Sequence, residues 1–358
     1  MTIIHKLAVL FIALLEISKR GHSASQQSND SVVILKEKDS GPYLTTIVTS
    51  LMDIKRETVG DGRKFSDYIS WLLKTCILAH PMVIFLDNTK EGLLDKVSHI
   101  RAKVLKRFNI PTILVTEPPT AMPYSYAYPQ VEAILTTPEW KTKTKHPNDV
   151  TNLNPNYIIV QYSKFEWMTK AMALIRGHWH TDGVAWMDAG FSRFFPAAAT
   201  PGTYQLKAHI LEDVRKRNIF ACSGSDKFDG LLAGRLKLNP DTFIGTNENI
   251  VKGGILITTP TRLPDFASFM KRFVDDELIA KKRIDNEQIA LALLAQEHRD
   301  WFRHIGNPGF DYDGEFMFQV IPRNRTANDS SIYSSPYVEI AKDPEEWRIL
   351  NRTSTMAL

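Results

Sequence analysis

The sequence predicts an α/β fold: a single domain with a mostly parallel central sheet and helices on both faces. Three observations carry this. Apolar runs of strand length end abruptly at polar residues. They alternate with stretches whose apolar residues recur at helical spacing. The runs are apolar throughout rather than every second residue, as strands covered on both faces are. The bulk numbers agree, since 358 residues with 43% hydrophobic and 23% charged side chains make a globular composition. A net charge of +4 from scattered Lys and Arg calls for no nucleic-acid partner.

Taken in order, Leu44 to Thr49 reads as the first buried strand. Phe65, Ile69, Leu72, Cys76 and Ala79 trace a helix face that Pro81 ends. Met82 to Leu86, closing at Asp87, is a second strand, and Leu93, Val97, Ile100, Val104 and Phe108 mark the next helix. Pro111 to Val115 supplies a third strand, giving strand–helix–strand–helix–strand. Residues 117–154 are rich in Pro, Thr and Lys and read as loops with short helices. Phe165, Met168, Met172 and Ile175 then share a helix face before a strand at Val184 to Met187. Leu206, Ile210 and Val214 predict a helix, Ile219 to Cys222 a strand, and Ile255 to Thr258 another. Phe266, Phe269, Met270 and Phe273 form an apolar helix stripe, and Ile289 to Ala295 lie in a helix apolar on nearly all sides.

The flanks have a different character. Lys6 precedes nine apolar residues, Leu7 to Leu15, and small residues follow at Ser23, Ala24 and Ser25. Nine helical residues span roughly 14 Å, about half a bilayer core, so residues 1–25 read as a cleavable signal peptide rather than a stable span. Membrane attachment is expected only if that segment stays uncleaved. Residues 26–42 read as a linker and residues 321–358 as a polar tail, leaving 43–320 as the folded domain. Acceptor sequons at Asn29, Asn324, Asn328 and Asn351 sit in these flanks and fit N-glycosylation in the secretory pathway, either the ER or Golgi lumen or outside the cell. Cys76 and Cys222 are either one disulfide or two buried thiols, and their apolar settings favour thiols.

In open α/β sheets ligands gather beyond the carboxyl ends of strands, which singles out Asp87 and Asp188. Asp87, followed by Asn88, reads as a turn cap. Asp188 reads as functional, because Ala189 and Gly190 leave its carboxylate uncrowded. Lys252-Gly253-Gly254 offers a backbone that a ligand can approach closely. Asp285-Asn286-Glu287-Gln288 opens a helix, and it reads equally as a capping box from Asp285 to Gln288 or as a catalytic acid-and-amide motif. His178-Trp179-His180-Thr181-Asp182 begins a zinc-hydrolase pattern, but Gly183 stands where the next ligand belongs, so surface histidines are the better reading.

Tyr162-Ser163-Lys164-Phe165, the Trp186-Met187-Asp188-Ala189-Gly190 segment, the opening Thr46–Arg56 stretch and the Pro81–Phe85 strand together resemble the HtrL/YibB family. The similarity covers roughly Tyr43 to Val320. It implies a GT-A-like glycosyltransferase that moves a sugar from a nucleotide-diphosphosugar to a carbohydrate or glycoconjugate hydroxyl. On that resemblance Asp188, Gly190, Gly253 and Gly254 belong to the donor site, with Lys164 and Arg193 near the diphosphate and Arg101 a further candidate. Asp285 and Glu287 would handle a proton or the donor sugar. Mn²⁺ or Mg²⁺ is the implied cofactor, with Asp188 as the candidate ligand and His304 a second. Gly190 occupies the third place of the usual D-x-D, leaving one acid where two would grip a cation. The alternatives are a secreted, non-catalytic glycan- or nucleotide-binding protein on the same fold, and the zinc hydrolase built on His178, His180 and Asp182.

Overall fold

In the computed structural model, residues 31–36, 43–59, 62–194, 204–206, 208–305 and 318–320 are described. The signal segment, the four sequon asparagines and the tail lie outside them. Eight strands form one sheet: β1 (Ser31–Leu35), β2 (Tyr43–Leu51), β3 (Met82–Asp87), β4 (Thr112–Glu117), β5 (Thr181–Met187), β7 (Phe220–Gly224), β8 (Val251–Thr258) and β9 (Phe302–His304). Their order is β1-β4-β3-β2-β5-β8-β7-β9, while β6 (Tyr204–Leu206) pairs with β10 (Phe318–Val320) in a separate two-stranded ribbon. The sheet is mixed. β4, β3, β2 and β5 run parallel, but β1 and β8 are antiparallel to their neighbours, and β7 and β9 run parallel to each other.

The strands divide their side chains between two cores. Val48, Val83, Phe85 and Trp186 pack on one face against helices Pro155–Ile175, Leu263–Arg272 and Glu287–Glu297. Ile47, Ile84, Leu86 and Met187 pack on the other against helices Phe65–Thr75, Leu93–Phe108 and Ala208–Arg217. Every residue of β3 and β4 is buried, which is why these strands read as unbroken apolar runs. Each fully buried Val, Leu, Ile or Phe contributes about 1.5–3 kcal/mol, so this two-faced core is the main stabilising element. Trp167 stacks on Trp186 at 5.9 Å between centroids and on Phe85 at the same separation, clamping the long helix to the sheet.

Several expectations need correction. Ser31–Leu35, assigned to the linker, forms an antiparallel edge strand, with Val33 opposite Leu114. Leu206 belongs to β6, and the helix begins at Ala208. Cys76 to His80 lie past the end of the helix. Gly253 and Gly254 lie within β8, which starts at Val251, rather than before it. Arg101 is neither a surface nor a ligand-site residue: it is fully buried, and donates to the carbonyls of Cys76, Leu78 and His80 and to Thr112 Oγ1. Burial lowers its pKa to about 10, so it stays charged at neutral pH and ties the loop before β3 to the start of β4. Cys76 and Cys222 are free, buried thiols, and burial pushes Cys76 up to about 12. Among the described residues no helix is long and apolar enough to cross a membrane.

Candidate functional site

The chain leaves β2 for β3 on one side, and β5 opens the half of the sheet on the other side, so β2 and β5 flank a topological switch point. Such crevices, beyond the carboxyl ends of adjacent parallel strands, are where open α/β sheets bind ligands. A cleft of about 790 Å³ lies there, within the usual range for small-molecule sites. Ser50–Ile54 at the end of β2, Trp186 and Asp188–Phe191 at the end of β5, Ser223–Lys227 at the end of β7 and Lys252–Ile255 of antiparallel β8 all reach its wall. The long helix adds Tyr157, Val160 and Gln161. Asn154 caps that helix by accepting from Tyr157 N, and its Nδ2 donates to Ile54 O at 2.8 Å, fixing helix to loop. The lining is amphipathic, with Phe65, Tyr68, Tyr157 and Phe191 beside Arg56, Arg63, Lys252 and several carboxylates.

Asp188 is the central group. One oxygen, Oδ1, accepts from Trp186 Nε1 at 2.7 Å and pairs with Lys164 Nζ at 3.0 Å. The side chain remains 39% exposed, and among the described residues no donor engages Oδ2. Its backbone N–H donates to Gly254 O at 2.9 Å, so the sheet ladder itself aims the carboxylate. A carboxylate with one oxygen held and the other turned to a cleft is ready to accept from a ligand hydroxyl.

Lys164 is placed differently from the sequence expectation. It is 1% exposed and lies beneath the cleft, where its three N–H donors meet Glu287 Oε1 at 2.6 Å, Asp188 Oδ1 at 3.0 Å and Gly253 O at 3.0 Å. Burial alone would lower its pKa; the Asp188 and Glu287 carboxylates outweigh that and hold the ammonium above its ordinary value. It cannot touch a diphosphate. It acts as the counter-charge that orients Asp188. Glu287 is fully buried, and burial pushes its carboxyl up against the pull of Lys164. Gly253 is needed here, because a Cβ would run into Glu287 Oε1 and lie 2.8 Å from Glu287 Cδ.

Asp285 also withdraws from the cleft. It is 2% exposed and accepts from Gly245 N at 2.7 Å, Asn286 N at 2.9 Å and Asn247 N at 3.4 Å. Burial raises it to about 7 despite those three donors. Its work is to fold the loop before Glu248 and Asn249, which reach the cleft wall. The cap of helix Glu287–Glu297 is Asn286, whose Oδ1 accepts from Gln288 N, one residue later than the expected capping box. Asp285 and Glu287 therefore hold the site from behind, and neither lines it.

The remaining candidates separate clearly. Gly190, Gly253 and Gly254 line the cleft. Arg193 lies in the 3-10 turn Phe191–Phe194, with its side chain outside the described residues. His304 pairs through Nδ1 with Asp229 Oδ1 at 3.0 Å on β9 and is not brought to Asp188. The histidine pair sits at the amino end of β5, the opposite sheet edge, where His180 is 3.8 Å from Asp182 and 72% exposed. Asp87 is the turn cap expected, accepting from Thr89 N and Oγ1 and from Asp53 N. No three His, Cys, Asp or Glu among the described residues converge as a cation site, so the described residues alone do not build the implied Mn²⁺ or Mg²⁺ site. Missed in the sequence were Asp53, Arg56, Tyr68 and Tyr157. Asp53 pairs with Lys55 at 2.6 Å and with Lys90. The Arg56 guanidinium lies 4.9 Å from the Tyr157 ring centroid and 6.0 Å from that of Tyr68. Asp53 and Arg56 follow a buried strand and stand in the Thr46–Arg56 stretch that carries the family resemblance, while Tyr68 and Tyr157 had no such signal.

Fold and cleft define the chain as an α/β protein with a crevice at the switch point of a mixed sheet. The chain belongs to the HtrL_YibB family, described as bacterial protein of unknown function, which it matches over residues 44–317. Among solved structures it is similar to apo mouse xyloside xylosyltransferase 1, at 10% identity and a TM-score of 0.35, over 74% of this chain and 85% of that one. No curated protein matches the sequence.

Proposed function

We propose that the cleft binds a nucleotide-diphosphosugar and that the protein is a glycosyltransferase acting on a carbohydrate or glycoconjugate hydroxyl. The observation that carries this is Asp188, held by Lys164 and Trp186 with Oδ2 facing a cleft at the switch point. In this reading Oδ2 accepts a hydrogen bond from a hydroxyl of the donor, fixing its ring. Tyr68, Tyr157 and Phe191 offer apolar faces to the base or sugar, and Arg56, Arg63 and Lys252 meet the diphosphate. The bond between the anomeric carbon and the phosphate oxygen breaks, its electron pair leaving on the diphosphate. The acceptor oxygen bonds to that carbon, and its proton passes to the departing diphosphate.

The test is release of free nucleoside diphosphate by the full-length protein from a panel of UDP- and GDP-sugars with glycan acceptors. Turnover with one donor, lost in Asp188→Ala while the protein stays folded, is the expected result. Turnover unchanged by Asp188→Ala would remove the assignment. Gly190, standing where a second acid would be, favours one other reading, a binding protein without catalysis. It would bind glycan or nucleotide and release nothing.

We also place the protein in the secretory pathway. This rests on the Leu7–Leu15 run and on the sequons at Asn29, Asn324, Asn328 and Asn351. Intact mass from a eukaryotic secretory host should show a chain starting near Gln26 and bearing glycans. An unprocessed, unmodified chain would contradict the placement.

A further inference from the structure

We infer that Gly254 is the position that sets how closely the ligand's hydroxylated ring approaches Asp188, and that its missing side chain serves the ligand rather than the fold. The inference deepens the sugar-nucleotide reading and rests on it.

The two neighbouring glycines of β8 differ in kind. At Gly253 a side chain is impossible, because Glu287 fills the space where Cβ would go. At Gly254 a Cβ would meet only ordinary contacts, at 3.4 Å from Phe191 Cδ2 and 3.8 Å from Asp188 Oδ2. Nor does the backbone ask for glycine there, since the positive-φ glycines are at 62, 92, 177, 234 and 245. Glycine within a strand weakens it, through backbone entropy and the absence of a side chain to pack. The fold therefore gains nothing from a bare position at 254.

What the position touches identifies what uses it. On one side stands Asp188 Oδ2, an acceptor that no donor engages among the described residues. On the other stands the Phe191 ring, which offers an apolar surface. A ligand lying over Gly254 must donate a hydrogen bond from one edge and present C–H groups from its face. A sugar or ribose ring does both. The strand backbone between them is the floor, and a methyl group there would lift the ring away from the carboxylate.

The test uses full-length wild type, Gly254→Ala, Gly254→Val and Gly253→Ala. In thermal unfolding, Gly254→Ala should melt at or slightly above the wild type while Gly253→Ala melts several degrees lower. A fall in Gly254→Ala as large as that in Gly253→Ala would overturn the inference, whatever binds. Affinities for UDP-glucose, GDP-mannose, UDP, GDP and free glucose are then measured by calorimetry. The binding ligand should lose roughly tenfold or more in Gly254→Ala, the scale one methylene commands in a fitted pocket, and more in Gly254→Val. Weakening shared by the bare diphosphate assigns the ring to ribose, and weakening confined to the diphosphosugar assigns it to the transferred sugar. Equal affinity in Gly254→Ala and wild type would overturn the inference. Wild type that binds none of the five would remove the sugar-nucleotide reading and this inference together. The unfolding comparison tells that failure apart, since it asks only whether β8 tolerates a side chain at 254.

Discussion

Lys164 shows how much a single buried charge organises. Its ammonium joins Asp188, Glu287 and the Gly253 carbonyl, so the orientation of the cleft carboxylate and the packing of β8 depend on one side chain. Removing one partner of a buried pair leaves the other unpaired in a low-dielectric interior, which costs about 3–5 kcal/mol. Lys164→Met should lose stability on that scale in a urea titration, and Lys164→Met/Glu287→Leu should regain a large part of it. A double variant no more stable than the single one would show that the pair is not coupled. The sequence could not distinguish a lysine facing phosphate from one beneath the site. Gln161 through Phe165 are all buried in the fold, but Gln161, Ser163 and Lys164 interrupt any apolar run that would announce it.

At the scale of elements, two buried groups hold loops at opposite ends of the sheet. Asp285 folds the segment from Gly245 to Asn247 on the cleft side. Its carboxyl is raised by burial from 3.8 to about 7 in the folded state, so between those values the folded protein binds more protons than the unfolded one. Stability from this group is thus fully present below about 3.8 and is lost as pH rises through about 7. Urea midpoints measured from pH 4.5 to 8 should fall with rising pH, and Asp285→Asn should flatten that slope. An equal slope in both proteins would assign the dependence elsewhere. Arg101, at the other edge, satisfies three carbonyls in a dry setting. Arg101→Met should cost about 3 kcal/mol or more through those unpaired acceptors, with ligand affinity of the folded protein unchanged. Reduced affinity at full folding would show that the loop reaches the site. The central strands were legible because burial on both faces leaves unbroken apolar runs. β1, β9 and the β6–β10 ribbon were not, since three to five residues carry too little pattern. The reversed direction of β8 was also hidden, because an apolar run has no polarity.

Across the whole molecule, the architecture explains why the site lies where it does. Splitting the chain's path at β2 and β5 opens a crevice that neither half could fill, and β8, running against its neighbours, brings its amino end with Gly253 and Gly254 to the same edge. Asp188 was readable from its place after an apolar run. Tyr157 and Arg56 were not, because their contribution depends on the long helix docking against the loop after β2, a contact no local pattern encodes. The glycosyltransferase reading thus stands on a constellation assembled from four distant stretches of chain. Its most direct test is thermal unfolding of the full-length protein with each of a panel of UDP-, GDP- and CMP-sugars, in wild type and Asp188→Asn. At a hundredfold excess over its dissociation constant a specific ligand stabilises by about 2.7 kcal/mol, a rise of several degrees for a protein of this size. The account predicts such a rise with one donor class in the wild type and its loss in Asp188→Asn. An equal rise in both proteins, or none with any sugar nucleotide, would contradict it.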